Sequence, residues 1–139
     1  MSKKTFISFG LLILVLAVLI PWLVFRSDGD AARGAQKVPS DLESGQSLFQ
    51  TNCGTCHALY AAGTNGNYGP DLDELLAPAG PPEGPSAADT IKATEGRVLN
   101  AIEEGVDSST TLGRMPGGIL NEQQSEEVAE FVAHVAGEG

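Results

Sequence analysis

Cysteine, histidine and methionine each occur only twice in these 139 residues, and tryptophan occurs once. With Cys53, Cys56, His57 and His134 as the whole stock of thiols and imidazoles, a structural zinc site, which usually pairs two CxxC units, is short of ligands. Basic residues are scarce too, eight against eighteen acidic. Beyond Arg26 only Arg33, Lys37, Lys92, Arg97 and Arg114 oppose all eighteen acids, so that part of the chain carries −13. Such a surface adds charge to a phosphate backbone instead of neutralising it, which excludes nucleic acid as a partner. It suits a partner with a basic docking face. No segment alternates with the period of a strand and no internal repeat is visible, which points to an all-α class.

What the sequence does have is one long apolar run. Residues 6–25, "FISFGLLILVLAVLIPWLVF", hold twenty positions without a charge. As a helix this spans roughly 30 Å, the hydrocarbon thickness of a bilayer. Pro21 is near its far end, and Trp22 is placed for the interface. Lys3 and Lys4 favour an N-terminus in the cytoplasm, against the weaker pull of Arg26, Arg33 and Lys37. A cleaved signal peptide competes, with small residues at Ala31, Ala32, Gly34 and Ala35, but its apolar region is usually only about 7–15 residues. Residues 1–26 are therefore expected to be a single transmembrane anchor, and either reading puts the body outside the cytoplasm.

Residues 27–39 are small and polar and read as a flexible linker, followed by a domain at 40–139. "SDLE" at 40–43 has the form of a capping box, so a helix is expected from Ser40 up to Cys53. Residues 61–71 read as loop, 71–77 as a short helical turn, and 77–89, with four prolines, as an irregular excursion. A helix is expected over 94–104, stopped by Gly105, then a loop over 107–118. A last helix follows from an Asn121 cap to about Ala136, with Val128, Phe131, Val132 and Val135 on one face. These few helices are too little to hold such long loops, so something else must fill the middle.

The stretch "CGTCH", residues 53–57, supplies it. A thioredoxin-type redox pair needs a βαβ frame that is missing, and a disulfide leaves His57 unexplained. Covalent haem attachment uses all three residues: Cys53 and Cys56 form thioethers to the two vinyl groups, and His57 becomes the proximal iron ligand. A buried haem also replaces apolar core that the chain lacks. For the sixth position Met115 in "GRMPGG" is expected, with His134 as the rival. A thioether there raises the reduction potential relative to two histidines and closes the site to substrate. The second His57 nitrogen needs an acceptor, for which the Pro70 carbonyl in "YGPDL" is the candidate; an ordinary Gly-Pro turn is the alternative.

Together, Gly45 and Phe49 before "CGTCH", then "GPDL", "MPGG" and the closing "EEVAEFVAHV", make residues 40–136 resemble a class I cytochrome c. The resemblance implies three to four short helices and long loops wrapped around one covalent haem c. It implies first and last helices that cross at Gly45, Phe49 and Phe131, and a Pro70 carbonyl that holds the proximal histidine. With its anchor the chain is similar to the small membrane-anchored cytochromes c of Gram-positive bacteria. The excursion at 77–89 and the acidic body depart from that pattern.

The expected function is one-electron transfer by a membrane-tethered carrier with His57 and Met115 on the iron, not enzymatic catalysis. The haem domain would lie on the outer face of a bacterial cytoplasmic membrane. Donor and acceptor, by resemblance, would be a quinol-oxidising complex and a terminal oxidase of a respiratory chain. The alternative is a cytochrome subunit permanently bound in a membrane oxidoreductase of the nitric oxide reductase or dehydrogenase kind, so that the chain is a monomer or a subunit of a respiratory complex. A ligand sensor or haem peroxidase with a dissociable Met115 is the third reading.

Overall fold

Five helices account for most of the described residues, and their order follows from where apolar stripes and caps fall. The computed structural model describes residues 3–26, 35–107 and 113–139; within the first helix, side chains are described for 8, 10 and 12–22. Two units are distinct, Met1–Arg33 and Gly34–Gly139. The first contains α1, Lys3–Arg26, with Pro21 inside it. Its described side chains from Leu12 to Trp22 are all exposed. Among the described residues no helix is long and apolar enough to cross a membrane; the rest of the apolar run's side chains fall outside them.

The second unit contains α2 (Glu43–Asn52), a short ladder of β1 (Ala58–Leu59) and β2 (Thr64–Asn65), α3 (Leu72–Leu76), α4 (Ala87–Glu104) and α5 (Glu122–Val135). A single 3-10 turn, Tyr60–Ala62, joins the two strands, which pair antiparallel with Leu59 opposite Thr64. Helix α5 is the hub, packing against both α2 and α4. The asparagine expected as its cap does that work twice over: Asn121 Oδ1 accepts from Gln124 N–H at 3.0 Å, and Gln124 Oε1 accepts from Asn121 N–H at 3.3 Å. Seven residues of α5 are buried, among them Val128, Phe131, Val132 and Val135.

Where α2 meets α5 the backbones come close because Gly45 has no side chain. A Cβ there would collide with the Glu127 carbonyl oxygen and stand 2.7 Å from Phe131 Cβ. One turn on, Phe49 and Phe131 stack obliquely, ring centroids 6.1 Å apart. Both rings are fully buried with Leu59, Ile102, Val128 and Val132, and together they bury several kcal/mol worth of apolar surface. This is the contact between first and last helices of the body that the resemblance implied.

Three details depart from the sequence reading. Helix α2 starts at Glu43, not Ser40, and its N-cap Leu42 makes no side-chain cap bond. Leu42 N–H closes a turn onto the Pro39 carbonyl at 3.0 Å and its side chain is buried, so burial of a leucine displaces the serine cap. Helix α4 begins at Ala87, seven residues before the expected start and inside the segment read as irregular. Residues read as linker also belong to the packed unit: Gln36 N–H donates to the Ala61 carbonyl at 3.0 Å, and Val38 is buried. Residues 27–34 of that linker and 108–112 of the loop before Met115 lie outside the described residues.

Candidate functional site

The end of α2 runs directly into the cysteine motif. Cys53 is the helix's C-cap, and its carbonyl accepts from both Cys56 N–H (3.0 Å) and His57 N–H (2.9 Å). The five residues therefore form a tight helical turn that keeps both cysteines and the imidazole together. Cys53 is buried and Cys56 exposed, and both thiols are free. Burial, with a smaller contribution from Cys56, pushes the Cys53 thiol up to about 11.

His57 is buried, and the segment around Pro70 is built against it. His57 Nδ1 lies 2.9 Å from the Pro70 carbonyl oxygen. A carbonyl can only accept, so Nδ1 carries the proton, and in the neutral ring the lone pair is on Nε2. Gly69 N–H donates to the Cys56 carbonyl at 2.8 Å, which draws the two segments together beside the ring. Gly69 itself lies flat against the imidazole: a Cβ there would stand 2.7 Å from Nδ1 and 2.9 Å from Nε2. Gly66 makes a similar approach to the backbone, since its Cβ would stand 2.6 Å from His57 N. Sequence reasoning found Pro70 but took Gly66 and Gly69 for ordinary loop residues. The signal for Gly69 was its place beside the Pro70 acceptor.

Met115 is held by its backbone. It forms an isolated antiparallel bridge with Val106, N–H to carbonyl at 3.0 Å in both directions. The turn after α4 makes this bridge fit. Gly105 ends the helix at φ 77, where a Cβ would stand 2.6 Å from the Met115 carbonyl oxygen. Gly117 passes equally close to the carbonyls of Glu103 and Glu104, and Gly118 N–H donates to the Ile102 carbonyl at 2.9 Å. The Met115 side chain is half-buried and packs against the core. His134, its rival, is exposed in the last turn of α5.

Leu72, Leu76, Val98 and Leu120 are likewise packed on the core yet only partly covered, apolar surface of the kind a flat apolar ring buries. The donor set fits a c-type haem: two adjacent thiols for covalent attachment, a tautomer-fixed imidazole with Nε2 free, and a thioether on a separate tight turn. A cavity of about 220 Å³ lies elsewhere, between residues 76–80, Pro82, α4 and the end of α5. None of Cys53, Cys56, His57, Pro70 or Met115 lines it. Among the described residues no group of three or more His, Cys, Asp or Glu side chains is placed to hold a metal ion.

No curated protein matches the chain. The family model for Cytochrome c matches residues 42–136, more than half of its length and the whole stretch from the start of α2 to the end of α5. The chain therefore belongs to the cytochrome c family: it is a haem-binding electron carrier, not an enzyme by itself, and its haem c is bound covalently, with Cys53 and Cys56 at the CxxCH spacing of that attachment.

Proposed function

We propose that the protein carries single electrons while tethered to a membrane, with His57 and Met115 as the two axial ligands of its iron. The observation that carries this reading is the 2.9 Å bond from His57 Nδ1–H to the Pro70 carbonyl, which leaves Nε2 as the ring's metal-binding nitrogen in a fixed orientation. When bound, the haem supplies the one-electron couple. The chain's own residues do the rest. Cys53 and Cys56 anchor the ring edge, and Gly69 lets the backbone lie against the imidazole. The Val106 bridge holds Met115 so that its thioether stays in place in both oxidation states. A thioether favours the ferrous state and so raises the potential; it also fills the position where a substrate would otherwise bind.

Tethering is supported by residues 6–25, long enough at about 1.5 Å per residue to cross a bilayer's core, and by the exposed apolar side chains of α1. With Lys3 and Lys4 inside, the haem domain lies on the outer face of a bacterial cytoplasmic membrane. There it meets membrane complexes at a high effective concentration. The −13 body favours basic docking faces, and a quinol-oxidising complex and a terminal oxidase are the partners this reading assigns. Mild detergent extraction tests it: a haem-bearing species of one chain's mass is expected. Constant co-purification with a polytopic subunit would instead make the chain a fixed part of an oxidoreductase.

A further inference from the structure

By sequence, Asp73 is one acid among three in "DLDE" and looks like a solvated helix residue. In the fold it is buried, 9% exposed. Its Oδ2 accepts from Tyr60 N–H at 2.8 Å and its Oδ1 accepts from Gly137 N–H at 2.8 Å. The end of the chain is shaped to make this second bond. Gly137 adopts φ 92, and a Cβ there would stand 2.8 Å from Ala77 Cβ and from Pro81 N. A Cβ at Gly139 would stand 3.0 Å from Asp73 Oδ2, so the last residues lie over the carboxylate. Glu138 feels it: burial, then the Asp73 charge, raise its carboxyl above the usual range.

The placement of the two donors is what matters. Tyr60 follows His57 by three residues, and Asp73 follows Pro70 by three. The His57–Pro70 bond therefore joins two strands of chain that Asp73 joins again one turn further on. Between them run the rest of the 3-10 turn, β2 and a short stretch of glycine and asparagine up to Gly69. Asp71, which caps α3 through Asp73 N–H at 2.9 Å, fixes the helix from which the carboxylate reaches.

We propose that Asp73 is a positioning residue for the proximal histidine: its carboxylate clamps residues 57–60 to residues 70–73 and fastens both to the C-terminal end of α5. The orientation of the His57 ring then depends on a side chain that never touches it. The proposal rests on the reading of His57 as an iron ligand.

The test uses the full-length holoprotein and Asp73→Asn, which keeps the shape but offers one acceptor oxygen to two N–H groups. The readouts are the exchange rate of the His57 ring proton in the ferrous protein, followed by NMR, and the g-values of the ferric protein. Losing one bond to a charged acceptor corresponds to roughly tenfold or more in local opening. Ring-proton exchange in Asp73→Asn is therefore expected to rise about tenfold beyond what its loss of global stability explains. Asn121→Ala, which weakens the other end of α5 without touching Asp73, serves as the reference. Faster exchange at Tyr60 and Gly137 alone, with the ring proton and g-values unchanged, overturns the clamp. If Asp73→Asn does not fold, a chain ending at Ala136 removes the Gly137 bond to Asp73, along with the residues that lie over the carboxylate, and keeps the Tyr60 bond; its ring proton must also exchange faster, and an unchanged rate overturns the proposal. A wild-type spectrum without histidine ligation sinks the axial-ligand reading itself, and the clamp with it.

Discussion

Replacing Gly69 with alanine adds one methyl group against the ring that the whole site is built to hold. Gly69 does not need a glycine backbone, since it is not among the six glycines with positive φ. The substitution therefore tests contact alone. The new Cβ would collide with Cε1 and stand 2.7 Å from Nδ1, at least about 0.7 Å inside ordinary contact at 3.4 Å. If the ring moves away by that amount, the 2.9 Å bond to Pro70 stretches past hydrogen-bonding distance. A buried donor left without its acceptor costs about 1–3 kcal/mol, and overpacking typically costs about 1–3 kcal/mol. A total loss of roughly 2–6 kcal/mol is expected, because the buried ring is held by its bond to Pro70 and has little room to relax. Guanidinium unfolding of the holoprotein, followed at the haem absorption, measures it directly. A loss below about 0.5 kcal/mol, the range of ordinary surface changes, would refute the claim that Gly69 exists to admit the imidazole.

Gly45→Ala sets two effects against each other: helix propensity favours alanine by about 1 kcal/mol, but the methyl runs into the Glu127 carbonyl and Phe131. Backbone cannot yield as a flexible side chain does, so a net loss of about 1–2 kcal/mol is expected, and a net gain in denaturant titration would contradict the close crossing. Asn121→Ala removes the bond that Asn121 Oδ1 accepts from Gln124 N–H, leaving the backbone N–H of residue 121 to Gln124 Oε1, and should lower stability by about 1 kcal/mol, read as a shift in the unfolding midpoint at constant slope. Glu138 has a carboxyl raised by burial and by Asp73, so the folded state holds its proton more tightly than the unfolded chain. Its contribution is fully present below the unfolded carboxyl range and is lost as pH rises through the folded value. Glu138→Gln should therefore be slightly more stable than wild type at neutral pH, by well under about 1 kcal/mol given its exposure, with the gap closing in acid; a variant less stable at neutral pH would reverse the sign.

The parts of this molecule that could be read directly from the sequence are those in which one short motif contains its own geometry. "CGTCH" needs only a turn, and "NEQQ" carries its cap and partner three residues apart. The Pro70 acceptor was within reach because the turn that presents it has its own signature. The features that were missed depend on contacts distant in sequence. Ser40 looked like a cap, but burial of Leu42 two residues on sets where α2 begins. The first two turns of α4 are mostly exposed, with only Ala87 and Ile91 half-buried, so they show almost no apolar period to detect. Strands of two residues are too short to alternate. Gly66, Gly69 and Gly117 look like loop punctuation, and only the fold shows what lies against them. Asp73 looks like a surface acid because its two donors lie 13 and 64 positions away.

The function proposed for this protein depends on a haem c iron held between His57 and Met115. The most direct measurement is the oxidised and reduced absorption spectrum of the holoprotein, including the weak near-infrared charge-transfer band of a methionine–iron bond, beside that of Met115→Ala. A c-type spectrum with the band is expected in wild type, and loss of the band in the variant, together with a lower reduction potential. Haem bound without the band, or a band that survives Met115→Ala, would contradict this ligation.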